Sequence, residues 1–136
     1  VLAVNVAIYR RNAGSYTLLT QSLLLYISTN LLFVFWYWFA DHPLRYGTEA
    51  PDGIEAQDQG IRFPEEEVLE AAGKPQTWLP RYTDYAYFTL LSSNNFGSPE
   101  GHLLVGLGLK RLQLIHTLFM SFLFLIVVAR AINTLA

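Results

Sequence analysis

The sequence predicts an all-α membrane protein in which two transmembrane helices flank a short re-entrant helix and loop. Three observations lead there. Residues 16–40 and 112–129 contain no charged residue, and 52% of the chain is hydrophobic with a positive mean hydropathy. All of the acidic residues, Asp41 to Glu100, lie between those two apolar stretches. Residues 82–102, YTDYAYFTLLSSNNFGSPEGH, begin as an aromatic helix-like run and turn abruptly rich in Ser, Asn, Gly and Pro.

Residues 1–15 form a lead-in. Val1 to Tyr9 is apolar and closes on Arg10 and Arg11, too short to cross a bilayer and without the basic front and small-residue cleavage site of a signal segment. It reads as the tail of a helix that begins elsewhere, or as an amphipathic stretch on the membrane surface. Residues 16–40 are the first span, since at about 1.5 Å per residue they exceed a hydrocarbon core of about 30 Å. Its polar residues, Thr20 to Asn30, suit helix–helix packing. Its end, Phe35-Trp36-Tyr37-Trp38-Phe39, matches an interfacial aromatic belt, after which Asp41, His42 and Pro43 are expected to stop the helix in water.

Residues 41–81 read as an extracellular acidic turret, with 49–60 an exposed connection. One short helix is expected at Pro64 to Ala72, from proline at the first helical position, Glu65 to Glu67 at the positive end of the dipole and Gly73 as a stop. The triple glutamate is a solvated face rather than a metal site. Pro75, Trp78 and Pro80 turn the chain back toward the membrane. Thr83 or Asp84 then caps a helix of about Tyr85 to Ser92, too short to span. The irregular backbone that follows has no partners in hydrocarbon, so it must be buried in protein or line a wet cavity. Residues 103–136 are a glycine-containing lead-in and the second span, which ends near Arg130. His116, about one turn inside, is read as a core histidine paired to a hydroxyl. The basic residues at the outer flanks, Arg10, Arg11 and Arg130, place both ends in the cytoplasm.

Several classes of function fall away. No basic face exists for nucleic acid. No cysteine means no disulfide and no thiolate site. Asp41 with His42, or Glu100 with His102, has the chemistry of an acid–base pair, yet neither stands beside a nucleophile or phosphate loop, so no catalytic residue, cofactor or metal is expected. The expected partners are the lipid bilayer and further copies of the chain.

The order of helix, acidic turret, short helix, irregular loop and helix resembles the two-transmembrane pore domain of the potassium-channel superfamily. Tyr87 to Glu100 aligns without a gap to the family pattern YFSFVTLTTVGYGD, with Tyr87, Phe88 and Gly97 identical. The chain more closely resembles a group of uncharacterised prokaryotic membrane proteins with channel-like carboxyl halves. Arg62-Phe63-Pro64, Phe96-Gly97-Ser98-Pro99 and Ala129 to Asn133 carry that likeness. The resemblance implies a pore helix, a tetramer in a prokaryotic inner or plasma membrane, and a filter-equivalent segment Asn94, Asn95, Phe96, Gly97, Ser98 and Pro99, with Glu100 and His102 at the mouth. The departures matter most. Asn95 replaces the filter threonine, Ser98 the tyrosine and Pro99 the second glycine. Proline fixes φ and lacks a donor, so the stack of carbonyls that replaces the potassium hydration shell is not expected. A weakly selective cation pore is expected, the alternative being a non-conducting scaffold or accessory subunit.

Overall fold

A computed structural model describes the backbone of residues 2–46 and 60–135, and side chains at 3, 10, 14–45 and 60–135. Most of the expected acidic connection, 49–60, therefore lies outside the described residues. The described chain is mostly helical and runs α1 (Leu2–Tyr46), β1 (Gly60–Arg62), α2 (Pro64–Ala71), α3 (Tyr82–Asn95), β2 (Leu103–Val105) and α4 (Leu107–Leu135).

Helices α1 and α4 are the frame. Each contains a stretch long and apolar enough to cross a membrane, Gly14–Arg45 and Leu107–Leu135. They run antiparallel: Thr134 Oγ1 reaches the Ser15 carbonyl at one end, and Phe33 meets Phe119 and Tyr37 meets His116 further along. Large apolar side chains remain exposed along both, Leu24, Leu32 and Phe39 on α1 and Leu114, Leu118 and Leu125 on α4. That exterior is compatible with insertion into a bilayer.

Two boundaries differ from the sequence expectation. Helix α1 is continuous from Leu2, so residues 2–15 and the first span are one element, and it does not stop at Asp41 but runs through Pro43 to Tyr46. Proline in the last turn removes one helical donor. An Asp41–Arg45 contact four residues apart, 3.1 Å from Oδ2 to Nε, ties that turn together instead. Asp41 is fully buried rather than in water. Helix α4 likewise begins at Leu107, so Lys110 and Arg111 are exposed within its first turns rather than preceding it.

Helix α3 is longer than expected, 14 residues, and its N-cap is Arg81 rather than Thr83 or Asp84. Asp84 contributes differently, its Oδ2 accepting the Arg81 backbone N–H at 2.7 Å. This is the reach-back half of a capping box. Glu66 does the same for α2, accepting the Phe63 N–H at 3.0 Å.

The sequence reading contained no strand. The structure has two, antiparallel, pairing Gly60 with Val105, Ile61 with Leu104 and Arg62 with Leu103. This small sheet joins the connector before α2 to the segment after α3. It occupies part of what was read as a glycine-rich lead-in. The core lies where α1, α3, α4 and the sheet meet, on Phe33, Val34, Tyr37, Ile61, Phe63, Tyr85, Phe88, Leu109, Met120 and Leu123.

Within that core His116 has the partner anticipated for it. Tyr37 Oη lies 3.0 Å from Nδ1, and Nε2 lies 3.3 Å from Asn30 Oδ1, with all three residues fully buried. The Phe33 ring lies over the imidazole at 4.3 Å. Replacing His116 by Leu strands the Tyr37 hydroxyl and the Asn30 amide together. The expected loss is about 2 kcal/mol, read from thermal unfolding of purified protein in detergent.

Candidate functional site

Contacts along α1 fix how α3 lies. Its start is level with the far end of α1, where Tyr82 packs near Phe35 and the Tyr85 hydroxyl donates to Asp41. Midway, Phe88 meets Tyr37 edge-on at 5.0 Å. Its last turn is level with Tyr26, whose hydroxyl donates to Asn94 Oδ1 at 3.1 Å. Tyr85 and Asn94 are nine residues apart on α3, so between these two contacts the helix carries the chain about 14 Å down the side of α1. The return is short. Ser98 accepts a bond from Gln113 of α4 at 2.9 Å, and by Leu103 the chain is back at the sheet.

The turn between descent and return contains the expected filter-equivalent residues. Phe96 is the C-cap of α3 in the left-handed conformation, φ 54° and ψ 30°, a place usually taken by glycine or asparagine. Its ring is 68% exposed. Asn94 and Asn95 are exposed, Gly97 and Ser98 half-buried, and Pro99 buried. The side chains of Asn94 and Ser98 bond to this chain's own long helices, one to each, which holds the turn in place from both sides. Asn95 and Phe96 project from it. Ser92, one turn earlier, has a buried hydroxyl with no partner among the described residues.

Glu100 and His102, expected at a mouth, lie together on the return. Glu100 is exposed, whereas His102 is 92% buried, its Nδ1 3.2 Å from the Glu100 carbonyl oxygen. His102 is packed against the rings of Phe63, Tyr87 and Phe88. Asp41 and His42 are not brought together as a pair: Asp41 is buried and His42 is exposed against Trp38.

One polar cluster was not anticipated. The Asp41 carboxylate accepts the Ile61 N–H at 2.7 Å, the Tyr85 hydroxyl and Arg45 Nε. Arg45 continues to Glu66 and to the Ile61 carbonyl at 2.7 Å, and its guanidinium lies 5.7 Å from the centre of the Phe63 ring. Burial, reinforced by the adjacent Asp41 carboxylate, pushes the Tyr85 pKa up and keeps its hydroxyl a donor. The Asp41 carboxylate therefore joins α1, β1 and α3, and Arg45 adds α2 through Glu66. The four-residue spacing of Asp41 and Arg45 was the available sequence signal, obscured by the proline between them.

Among the described residues, no three His, Cys, Asp or Glu side chains are grouped to hold a metal ion. No family model, curated protein or solved structure matches the chain.

Proposed function

We propose that the chain is a subunit of a membrane oligomer in which the 94–98 turns meet around a common axis, and that the assembly passes small cations with little selectivity. The observation that carries this is the depth of the turn. An irregular, polar segment sits about 14 Å below the level of Asp41, alongside a helix long enough to span a bilayer, where lipid supplies no hydrogen-bond partners. In a lone copy Asn95 and the Phe96 backbone would face hydrocarbon. Around an axis they face water or each other. Four copies are taken from the resemblance to pore domains, in which α3 corresponds to the pore helix.

Charge favours cations. The turn follows the C-terminal, partially negative end of α3, and the side chains offered there are amides and a hydroxyl. Ten of the eleven acidic residues precede the turn and the eleventh, Glu100, follows it directly. Pro99 and the left-handed Phe96 replace the backbone that a stack of potassium-binding carbonyls needs, which argues for weak selectivity.

A non-conducting scaffold is supported by Phe96 itself, since converging phenyl rings would close the centre. Liposome flux separates the two. A pore passes sodium and potassium in the wild type, and Glu100→Gln weakens its preference for cations over anions. A plugged scaffold conducts after Phe96→Ala and not before. No flux from either form, in a preparation shown by mass measurement to be oligomeric, overturns conduction. A stable monomer in detergent overturns the shared axis.

A further inference from the structure

We infer that the interior holds a binding site for a single ordered water where α3 lies against α1, formed by the Ser92 hydroxyl and the Asn30 side-chain amide. Ser92 is fully buried, and its Oγ has no hydrogen-bond partner among the described residues. That hydroxyl is exceptional within this chain. Helical serines and threonines commonly settle on a carbonyl of the preceding turn. Thr29, Thr89, Ser121 and Thr134 bond to the carbonyl four residues back, and Ser93 to the one three back. Ser92 makes no such bond, and an unpaired hydroxyl in an apolar interior is costly, so a partner is called for.

Contacts on either side of Ser92 fix what lies across from it. Phe88 meets Tyr37, and Asn94 meets Tyr26. Ser92 follows Phe88 by one turn on the buried face of α3, so it stands opposite α1 between Tyr37 and Tyr26. On α1, Tyr26, Asn30, Val34, Tyr37 and Asp41 are spaced at helical intervals of three or four and form one stripe. Tyr26, Tyr37 and Asp41 of that stripe all touch α3. Between Tyr26 and Tyr37 its one polar member is Asn30, which is fully buried.

Asn30 also has a bond to give. Its Oδ1 takes His116 Nε2 at 3.3 Å, while Nδ2 carries two N–H groups and has one acceptor, the Tyr26 carbonyl at 3.4 Å. Two buried polar groups on facing stripes are therefore left over, and they do not bond to each other. A water accepts from the amide, pairs with the hydroxyl and bridges a gap of up to about 5–6 Å. Nothing larger suits the place. Both groups are neutral, no three acidic or histidine side chains among the described residues gather for a metal ion, and Ser92, Asn30 and His116 are all at zero exposure. Placed four residues before Phe96, the water adds a third tie to the Tyr26–Asn94 and Gln113–Ser98 bonds that hold the end of α3. Its binding requires neither a shared axis nor conduction.

The test is an experimental density map of the full chain in detergent, fine enough to resolve ordered water, together with thermal unfolding of Ser92→Ala. One peak within hydrogen-bond reach of both Ser92 Oγ and Asn30 Nδ2 is expected, and it should be absent from a map of the variant. Ser92→Ala should also lower Tm by about 2–4 °C, because the Asn30 amide loses its acceptor along with the water. A dry hydroxyl predicts the opposite sign, since removing an unpaired buried polar group stabilises the fold. A raised or unchanged Tm therefore overturns the proposal. So does a wild-type map with no peak between the two groups, or a peak that persists in Ser92→Ala.

Discussion

Asp41→Ala should destabilise the protein by about 3–5 kcal/mol, the range for removing one partner from a buried charged pair. The carboxylate is fully buried and accepts three bonds, from the Ile61 N–H, the Tyr85 hydroxyl and Arg45. Its loss leaves a backbone donor and a phenol buried without acceptors, and leaves Arg45 with Glu66 as its remaining charged partner. Tyr85→Phe removes one donor while keeping the carboxylate satisfied, so it should cost about 1–2 kcal/mol. Denaturant unfolding in detergent checks both, with fluorescence of Trp78 reporting on the connector because its ring packs 5.4 Å from Phe63. If Asp41→Ala costs less than Tyr85→Phe, the carboxylate is not the common acceptor described here. Alkaline pH gives the same contact a second signature. The folded Tyr85 pKa is raised above the ordinary 10.0, so the stability it contributes is complete below that value and declines as pH rises beyond it. The Tyr85→Phe variant should lose that part of the alkaline decline.

The location of this cluster explains what the sequence disclosed and what it concealed. Two long apolar helices were legible because a helix able to cross lipid needs a set length and composition, and 16–40 and 112–129 meet both. Helix α2 was legible from local chemistry, with Pro64 at its start and three glutamates in its first turn. The end of α1 was not legible locally. Asp-His-Pro has the composition of a helix stop, and it continues as helix because Asp41 finds partners on β1 and α3, 20 and 44 residues away. The two strands were hidden for a similar reason. Three residues carry no alternation to detect, and their pairing partners are separated by the whole of α2 and α3. The turn after α3 was visible as an abrupt run of Ser, Asn, Gly and Pro after an aromatic helix-like stretch. The anchors that hold it, Tyr26 and Gln113, were invisible because each is an ordinary polar residue in an apolar helix until its distant partner is known.

Gly60→Ala is expected to cost about 2–4 kcal/mol, and the reason lies in the same carboxylate. Gly60 has φ +126°, a conformation that residues with a Cβ rarely adopt, and an ideal Cβ there would stand 2.6 Å from Asp41 Oδ1. Usually a side chain gives way. Asp41 cannot, because β1, α3 and Arg45 all hold it, so the backbone of β1 must move and the pairing with Leu103 to Val105 weakens. A double-mutant cycle separates strain from collision. In an Asp41→Ala background the collision is absent while φ is unchanged, so Gly60→Ala should cost only about 1–2 kcal/mol, a coupling of about 1–2 kcal/mol between the two sites. Additive losses would mean that the carboxylate does not abut Gly60. Because pairing with β1 holds the return segment β2, after the 94–98 turn, at the Asp41 end of α1, the same substitution should also change flux through reconstituted protein if the turn lines a passage. That change should appear while α1 and α4 remain helical by circular dichroism, since neither helix contains Gly60.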